Sequence, residues 1–335
     1  MGKYSDFWLD IFSEKEIDDF LSNQYKNHPF TSLLKYPNEN YNTVKAIEKI
    51  KQSDINWLKN KKNRLLIKNE KEKDIGNING ALGEIRAYGN LLNTDIDIKP
   101  YKKNACKEKK KNFDFIIKSN IEMEVQTPCI NFDELDEINN INQSKKECRA
   151  KIIMPYGAID EYNNSSTEHA IYKLSQIKAK YKQFSDSNNV KILWIDVQSK
   201  YMDILKPEYI LPIRTDNGNI FSGVIWYAFW GRFGLPIFHG EHKIEHSCMK
   251  HYGKFLHPNA PDYAILSFKN KTIMLENCYS ENKLSYETLF YDFFKLQNFS
   301  LQYSYLNFKD NNLKNRIFNE LEYIKSFKDN FDKLP

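Results

Sequence analysis

The chain is expected to fold as an α/β (α+β) protein: a mixed β-sheet flanked by helices, with a helical N-terminal region and mixed α/β additions at the C-terminus. Three observations carry this expectation. The stretch 80–92 (GALGEIRAYGNLL) has apolar residues at helical spacing, and the stretches 113–117 and 121–126 alternate with the period of two that marks strands. The run VKILWIDV at 190–197 is almost continuously apolar, as a strand buried on both faces should be. Between them, Ala170, Leu174, Ile177, Tyr181 and Phe184 line one face of an expected helix, so the order is helix, strand, strand, helix, strand.

The 335 residues suffice for one large domain or two ordinary ones, and the expected division is 1–75, 76–198 and 199–335. With 41% hydrophobic and 28% charged residues, the composition is globular and excludes a disordered chain. The net charge of +5 is mildly basic and permits a nucleic-acid partner without demanding one. Abundant Asn, Lys and Ile discount that basicity, because they fit an AT-rich coding sequence. Five scattered cysteines form no C-x-x-C pair, so neither a disulfide framework nor a zinc ribbon is implied and a reducing cytoplasm is the expected compartment. The N-terminal MGKYSDFWLDIFSEKE has acids and aromatics where a signal peptide needs an apolar run, so none is expected, and no window approaches the length of a membrane span.

Residues 5–70 read as helices. Ser13-Glu14-Lys15-Glu16 fits a capping box ahead of Ile17, Phe20 and Leu21, and Val44, Ile47, Ile50, Ile55 and Leu58 continue an apolar stripe. The tract 59–64 (KNKKNR) carries four basic residues and no acid, which suits either phosphate contacts or, more simply, a solvated helix face.

In the middle of the chain, Leu82, Ile85 and Leu92 mark the apolar face of the helix that bears Glu84, and Gly83 would admit a close neighbour. The hairpin that follows puts Phe113, Phe115 and Ile117 on one face and Asp114 on the other, turns at Lys118-Ser119-Asn120, and returns with Glu122, Glu124 and Gln126 opposite Ile121, Met123 and Val125. Glu84, Asp114, Glu122 and Glu124 are thereby expected near one sheet edge. Carboxylates so close repel unless a cation or proton sits among them, and oxygen-only ligands suit Mg²⁺ or Mn²⁺. Such an ion serves phosphodiester hydrolysis. The loop 99–112 holds seven lysines against one Glu, and Lys102, Lys103, Lys109, Lys110 and Lys111 are the expected phosphate contacts, joined by Lys173 from the later helix.

These residues resemble the PD-(D/E)xK nuclease superfamily, whose restriction-endonuclease-like core places an acid on a helix, an Asp on the next strand and an acid-x-Lys on the strand after. Here the order is Glu84, Asp114, then Glu124-Val125-Gln126, over roughly a third of the chain. The resemblance implies that Asp114 and Glu124 hold the metal, with Glu84 or Glu122 in support. Gln126 departs from the family's lysine: it can orient a water but supplies neither charge nor a base. Three readings of the departure stay open. Glu122-Met123-Glu124 replaces the lysine by a second acid, a lysine such as Lys173 or Lys180 migrates from the following helix, or the fold is inactive and kept for binding.

In the C-terminal region, Ile220–Phe229 reads as a strand or buried segment, and 262–268 with 272–275 as a hairpin. Terminal helices are expected over Ser285–Gln297 and Leu313–Asp332, with Phe290, Tyr291, Phe293 and Phe294 in the core. Five of the seven histidines lie between His239 and His257. His242 and His246 are spaced for one helical face, and His239, Cys248 or His251 could complete a Zn²⁺ site, though no standard finger spacing is present.

The function expected from sequence is a Mg²⁺- or Mn²⁺-dependent endodeoxyribonuclease of restriction or anti-phage defence, with DNA as partner and a homodimer as the simplest route to double-strand cleavage. The competing expectations are an inactive nuclease-fold module that binds nucleic acid or a partner protein, and a zinc-stabilised interaction protein.

Overall fold

Local signals account for the first elements. Ser13 Oγ accepts the Glu16 backbone N–H at 3.3 Å and Glu16 Oε2 accepts the Ser13 N–H at 2.8 Å, the reciprocal capping box expected from the sequence. It starts α2 (Glu14–Ser22), which follows the single turn α1 (Asp6–Leu9) and precedes α3 (Pro29–Lys35). Helix α4 (Tyr41–Leu65) is broken at Asp54, whose φ of −153° leaves the helical region. Its Oδ1 accepts the Trp57 N–H at 3.1 Å and so caps a second, redirected half. Helix α5 (Glu72–Leu92) packs beside α4. The computed structural model describes residues 6–22, 28–68, 72–101, 113–128, 184, 188–198, 213–216, 219–234, 236–239, 245–257, 259–277, 279–285 and 287–302.

Seven strands form one mixed sheet: β1 (Ile98–Pro100), β2 (Phe115–Ile117), β3 (Ile121–Gln126), β4 (Val190–Asp196), then β9 (Tyr263–Ser267), β10 (Thr272–Glu276) and β11 (Phe299–Gln302), in that spatial order. The intervening strands belong to two separate ribbons, β5 (Ile213–Asp216) with β6 (Asn219–Ser222) and β7 (Pro236–His239) with β8 (Glu245–Cys248). This is an α/β fold. Strand β3 runs antiparallel to β2 but parallel to β4, and β4 runs parallel to β9. The expected central strand at 190–197 is therefore present, flanked by parallel neighbours, and the sheet continues past residue 198 into β9–β11. The expected hairpins also form. Lys118 and Ser119 turn the first one in the left-handed region, at φ of 48° and 65°, and Asn120 N–H closes it on the Ile117 carbonyl. Strands β9 and β10 make the second.

One sheet face carries Phe115, Met123, Ile192, Trp194 and Ile265, which share a buried core with α3, α4 and α5. Gly83 of α5 lies against this sheet so closely that a Cβ there would run into Thr127 Oγ1. Across the ladder, Glu124 pairs with Leu193 and Gln126 with Ile195, and Leu193 and Ile195 pair in turn with Ala264 and Leu266. Those four apolar residues are buried, so the second face is covered as well.

Of the C-terminal expectations, Ile220–Phe229 as a strand or buried segment holds, β6 covering its start and the rest being buried, whereas the helix over 285–297 needs correction. Residues 224–230 (VIWYAFW) form a helix, α6 (Val224–Trp230), buried on every side; a run with no polar position has no periodicity to separate helix from strand. The helix expected over 285–297 is reduced to short π and 3-10 turns at Thr288–Asp292 and Phe293–Lys295. There Phe293 is buried, while Tyr291 and Phe294 face solvent, because the tighter and looser turns rotate them off the core side. The helices expected at 170–184 and 313–332 lie outside the described residues, Phe184 alone excepted. Among the described residues no helix is long and apolar enough to cross a membrane.

Candidate functional site

Asp114 precedes β2 yet remains in the ladder. Its N–H donates to the Met123 carbonyl at 2.9 Å and its carbonyl accepts the Tyr101 N–H at 2.8 Å. Phe115 pairs with Met123, and the Asp114 N–H reaches that same residue, so Asp114 lies beside Met123 where β2 begins. The Asp114 carboxylate accepts the Val125 N–H at 2.8 Å, which ties it to the end of β3. Burial first, and the charge of Glu84 second, push its carboxyl up to about 7, against the opposing pull of that N–H, Lys61 and Arg64. Glu84 and Asp114 are thus electrostatic neighbours, one from α5 and one from the sheet. Glu124 of β3 is also buried.

Glu84 carries two cations that a solvated-face reading of 59–64 does not anticipate. Arg64 Nη1 donates to its Oε1 at 2.6 Å, and Lys61 Nζ bonds its Oε2. Both come from the redirected half of α4, which Trp57 anchors: its ring lies 4.9 Å from Tyr88 of α5 and 5.8 Å from Phe115 of β2. Lys61 sits one turn further, its Nζ 4.8 Å over the Trp57 ring. The break at Asp54 is itself held from α5. Asp54 accepts a hydrogen bond from Tyr88, whose hydroxyl is pushed up to about 12 by burial and then by the Asp54 charge. The available sequence signal was Trp57 four residues before Lys61, an amphipathic pair that could pass for ordinary helix surface.

Next to this group a buried ion pair fixes α5 to the sheet. Arg86 Nε lies 3.0 and 3.1 Å from the two carboxylate oxygens of Asp196 at the end of β4, and Nη2 adds a third bond. Arg86 Nη1 also donates to Thr43 Oγ1 of α4 at 3.3 Å. Arg86 is two residues beyond Glu84, so this pair sets the height of Glu84 along the sheet.

The remaining expected residues divide. Glu122, on the same face of β3 as Glu124, is buried at the opposite end of the strand and accepts the Asn189 side-chain N–H at 3.0 Å. Gln126 lies partly buried at the end of β3, on the face of Glu124. Lys102, Lys103, Lys109, Lys110, Lys111, Lys173 and Lys180 fall outside the described residues. So does His242, while His246 belongs to a strand, with His239 paired to Glu245 and Phe238 to His246. The helical spacing invoked for His242 and His246 therefore does not hold at His246.

Among the described residues no three His, Cys, Asp or Glu side chains form a ready-made metal cage. The donor chemistry nevertheless fits Mg²⁺ or Mn²⁺: Mg²⁺ is typically bound through one or two carboxylates together with water and substrate phosphate. Asp114 and the buried Glu124 are the strand carboxylates available for this, and the mutual repulsion of Asp114 and Glu84 is what a divalent cation would relieve. The chain matches no protein-family model, no curated protein and no solved structure, so what the site can do rests on its own residues.

Proposed function

We propose that the chain is a metal-dependent endodeoxyribonuclease with a restriction-endonuclease-like core, of the PD-(D/E)xK kind. The observation that carries the reading is the electrostatic meeting of Glu84 from α5 with Asp114 before β2, beside a strand β3 that carries the buried Glu124. Helix acid, strand acid and second strand acid follow one another along the chain in the order the family resemblance implies. Restriction or anti-phage defence as the setting rests on that resemblance alone.

Asp114 and Glu124 would hold Mg²⁺ or Mn²⁺, with Glu84 beside them. The ion, when bound, supplies a water of lowered pKa and positive charge for the phosphate. The Gln126 amide can accept from the attacking water and orient it. Lys61 and Arg64 provide the positive charge that β3 lacks, close enough to Glu84 to be drawn onto a phosphate when substrate competes for them. Lys61 is the natural replacement for the family lysine, because its ammonium rests over the Trp57 ring, which fixes its approach.

A second reading is supported by the same ion pairs. With Glu84 neutralised by two cations and Gln126 in the lysine position, the site could serve an inactive fold that binds nucleic acid or a partner protein. Incubation of supercoiled plasmid with Mg²⁺ and with Mn²⁺, wild type against Asp114→Ala, separates the two. Nicking or linearisation that vanishes in the variant supports the nuclease. Intact plasmid, single strands and RNA with either ion would reject it in favour of the binding module.

A further inference from the structure

A second surface, away from the acidic group, has the chemistry of a base-stacking platform. Phe233 and Tyr252 are 66% and 54% exposed, unusual for such large rings, and their centroids lie 6.5 Å apart at 39°. The backbone holds them rigidly. Gly234 N–H donates to the Met249 carbonyl at 2.9 Å and Gly253 N–H to the Gly231 carbonyl at 2.7 Å, clamping the two segments together. A Cβ on Gly253 would lie 2.6 Å from the Phe229 backbone, so the segment rests directly on the buried helix α6. Beneath it Trp230 and Phe255 pack at 5.3 Å.

The two segments that carry the rings are basic. The segments 231–234 (GRFG) and 250–253 (KHYG) contain Arg232, Lys250 and His251 and no acid. Arg232 Nη2 donates to the hydroxyl of Tyr279, itself 43% exposed, at 3.3 Å, which adds a third ring to the patch. Exposed rings interleaved with cations suit stacked bases with phosphates alongside. A protein partner of ordinary composition would want a larger apolar centre, and a duplex offers no base faces.

Tyr279 follows β10, whose last residue Glu276 pairs with Tyr263 at the start of β9. That is the end of the sheet where β3, β4 and β9 begin, whereas Asp114 and Gln126 lie where β3 finishes. A six-residue strand spans roughly 20 Å, so the two surfaces are separate.

We propose that Phe233 and Tyr252, with Arg232 and Lys250, form a binding surface for unpaired DNA. The choice of DNA over RNA rests on the function proposed above; the stacking chemistry does not. The test is fluorescence anisotropy of labelled dT20 with the full-length protein in EDTA, so that no strand is cut. Phe233→Ala/Tyr252→Ala should weaken dT20 binding by about 30-fold or more, with unchanged circular dichroism, since stacking rings are sensitive to alanine substitution. Phe233→Leu/Tyr252→Leu, which keeps apolar volume, should be nearly as weak. An abasic 20-mer should bind wild type no better than dT20 binds the double variant. Arg232→Ala/Lys250→Ala should instead lower the slope of log affinity against log salt by about 1.4, two phosphate contacts' worth on a single strand.

Four results would overturn the proposal: no dT20 binding by wild type, unchanged affinity in both ring variants, tighter binding of rU20 or duplex, or a wild-type dimer in sedimentation that the ring variants dissolve. The last would assign the surface to a second copy of the chain. The nuclease reading fails separately, in the plasmid assay with Asp114→Ala, because neither ring contributes to that site.

Discussion

Replacing Arg86 by Met tests whether the buried pair with Asp196 holds the site together. Asp196 is fully buried and Arg86 nearly so. The arginine makes three contacts with that carboxylate and a fourth with Thr43. Removing one partner of such a pair strands the other without solvent, at a cost of about 3–5 kcal/mol. Against a total stability of about 5–15 kcal/mol this is a large fraction. With a shift of about 2–4 °C per kcal/mol for a folded unit of this size, Arg86→Met should melt roughly 10 °C below wild type. Replacing both partners leaves no stranded charge, so Arg86→Met/Asp196→Leu should recover most of that loss. The assay is thermal and urea unfolding followed by circular dichroism, with the single variants and the pair completing a double-mutant cycle. A single variant that melts within about 2 °C of wild type, or a double variant no better than the single, would refute the reasoning. Under the nuclease proposal the double variant should still nick plasmid more slowly than wild type, because nothing then ties the height of α5, and with it Glu84, to the end of β4.

Two further outcomes follow from single buried or half-buried cations. Lys61→Met should lower the initial rate of plasmid nicking at saturating Mg²⁺ by about 10²–10³-fold, the effect of losing one charge-stabilising donor, while Mn²⁺ binds no more weakly; an unchanged rate alongside an inactive Asp114→Ala would remove Lys61 from the mechanism. Lys254 is fully buried, and burial lowers its ammonium to about 7 from 10.5. Between those values the unfolded chain binds the extra proton, so wild-type stability should rise as pH climbs from about 7 to about 10.5 and be reduced below that window. Lys254→Met should abolish this rise, with its stabilising advantage in urea midpoints greatest at pH 6 and gone near pH 10.5; parallel pH profiles for variant and wild type would contradict it.

What could be read from the sequence depended on how local the physical cause is. The capping box at Ser13 and Glu16 needs only residues three apart, and it formed as expected. Strand β4 was legible because seven successive residues carry the pattern of a doubly buried strand. The hairpins were legible because alternation and a turn suffice to specify them. Helix α6 was not, since an unbroken apolar run fixes burial but not period. Tyr291 and Phe294 were misplaced for a related reason: an ordinary helix was assumed, and a change of turn type redirects side chains that sequence spacing treats as fixed. Glu122 and Glu124 could be placed on one face of β3. That Glu122 turns to Asn189 at the far end of the strand depends on where β4 begins, across a connection of more than sixty residues.

The cations of the site were hidden for the same non-local reason, and their position has a physical logic. A lysine at position 126 would share its sheet face with Ile195 and Leu266, both buried, where an ammonium is costly and a glutamine much less so. Charge delivered from α4 avoids that cost. Lys61 lays its charged end over Trp57 and meets the carboxylate of Glu84, with a side chain still 18% exposed. The delivery depends on Asp54, because an unbroken helix would carry the second half of α4 in another direction. Asp54 is in turn held by Tyr88, one turn of α5 beyond Glu84. The helix that bears the acid therefore also aims the helix that bears its cations. Under the nuclease proposal, Gln126 and the basic tract at 59–64, unrelated along the chain, are two sides of one arrangement: the strand omits a charge that it would have to bury, and a helix some sixty residues earlier brings that charge to Glu84.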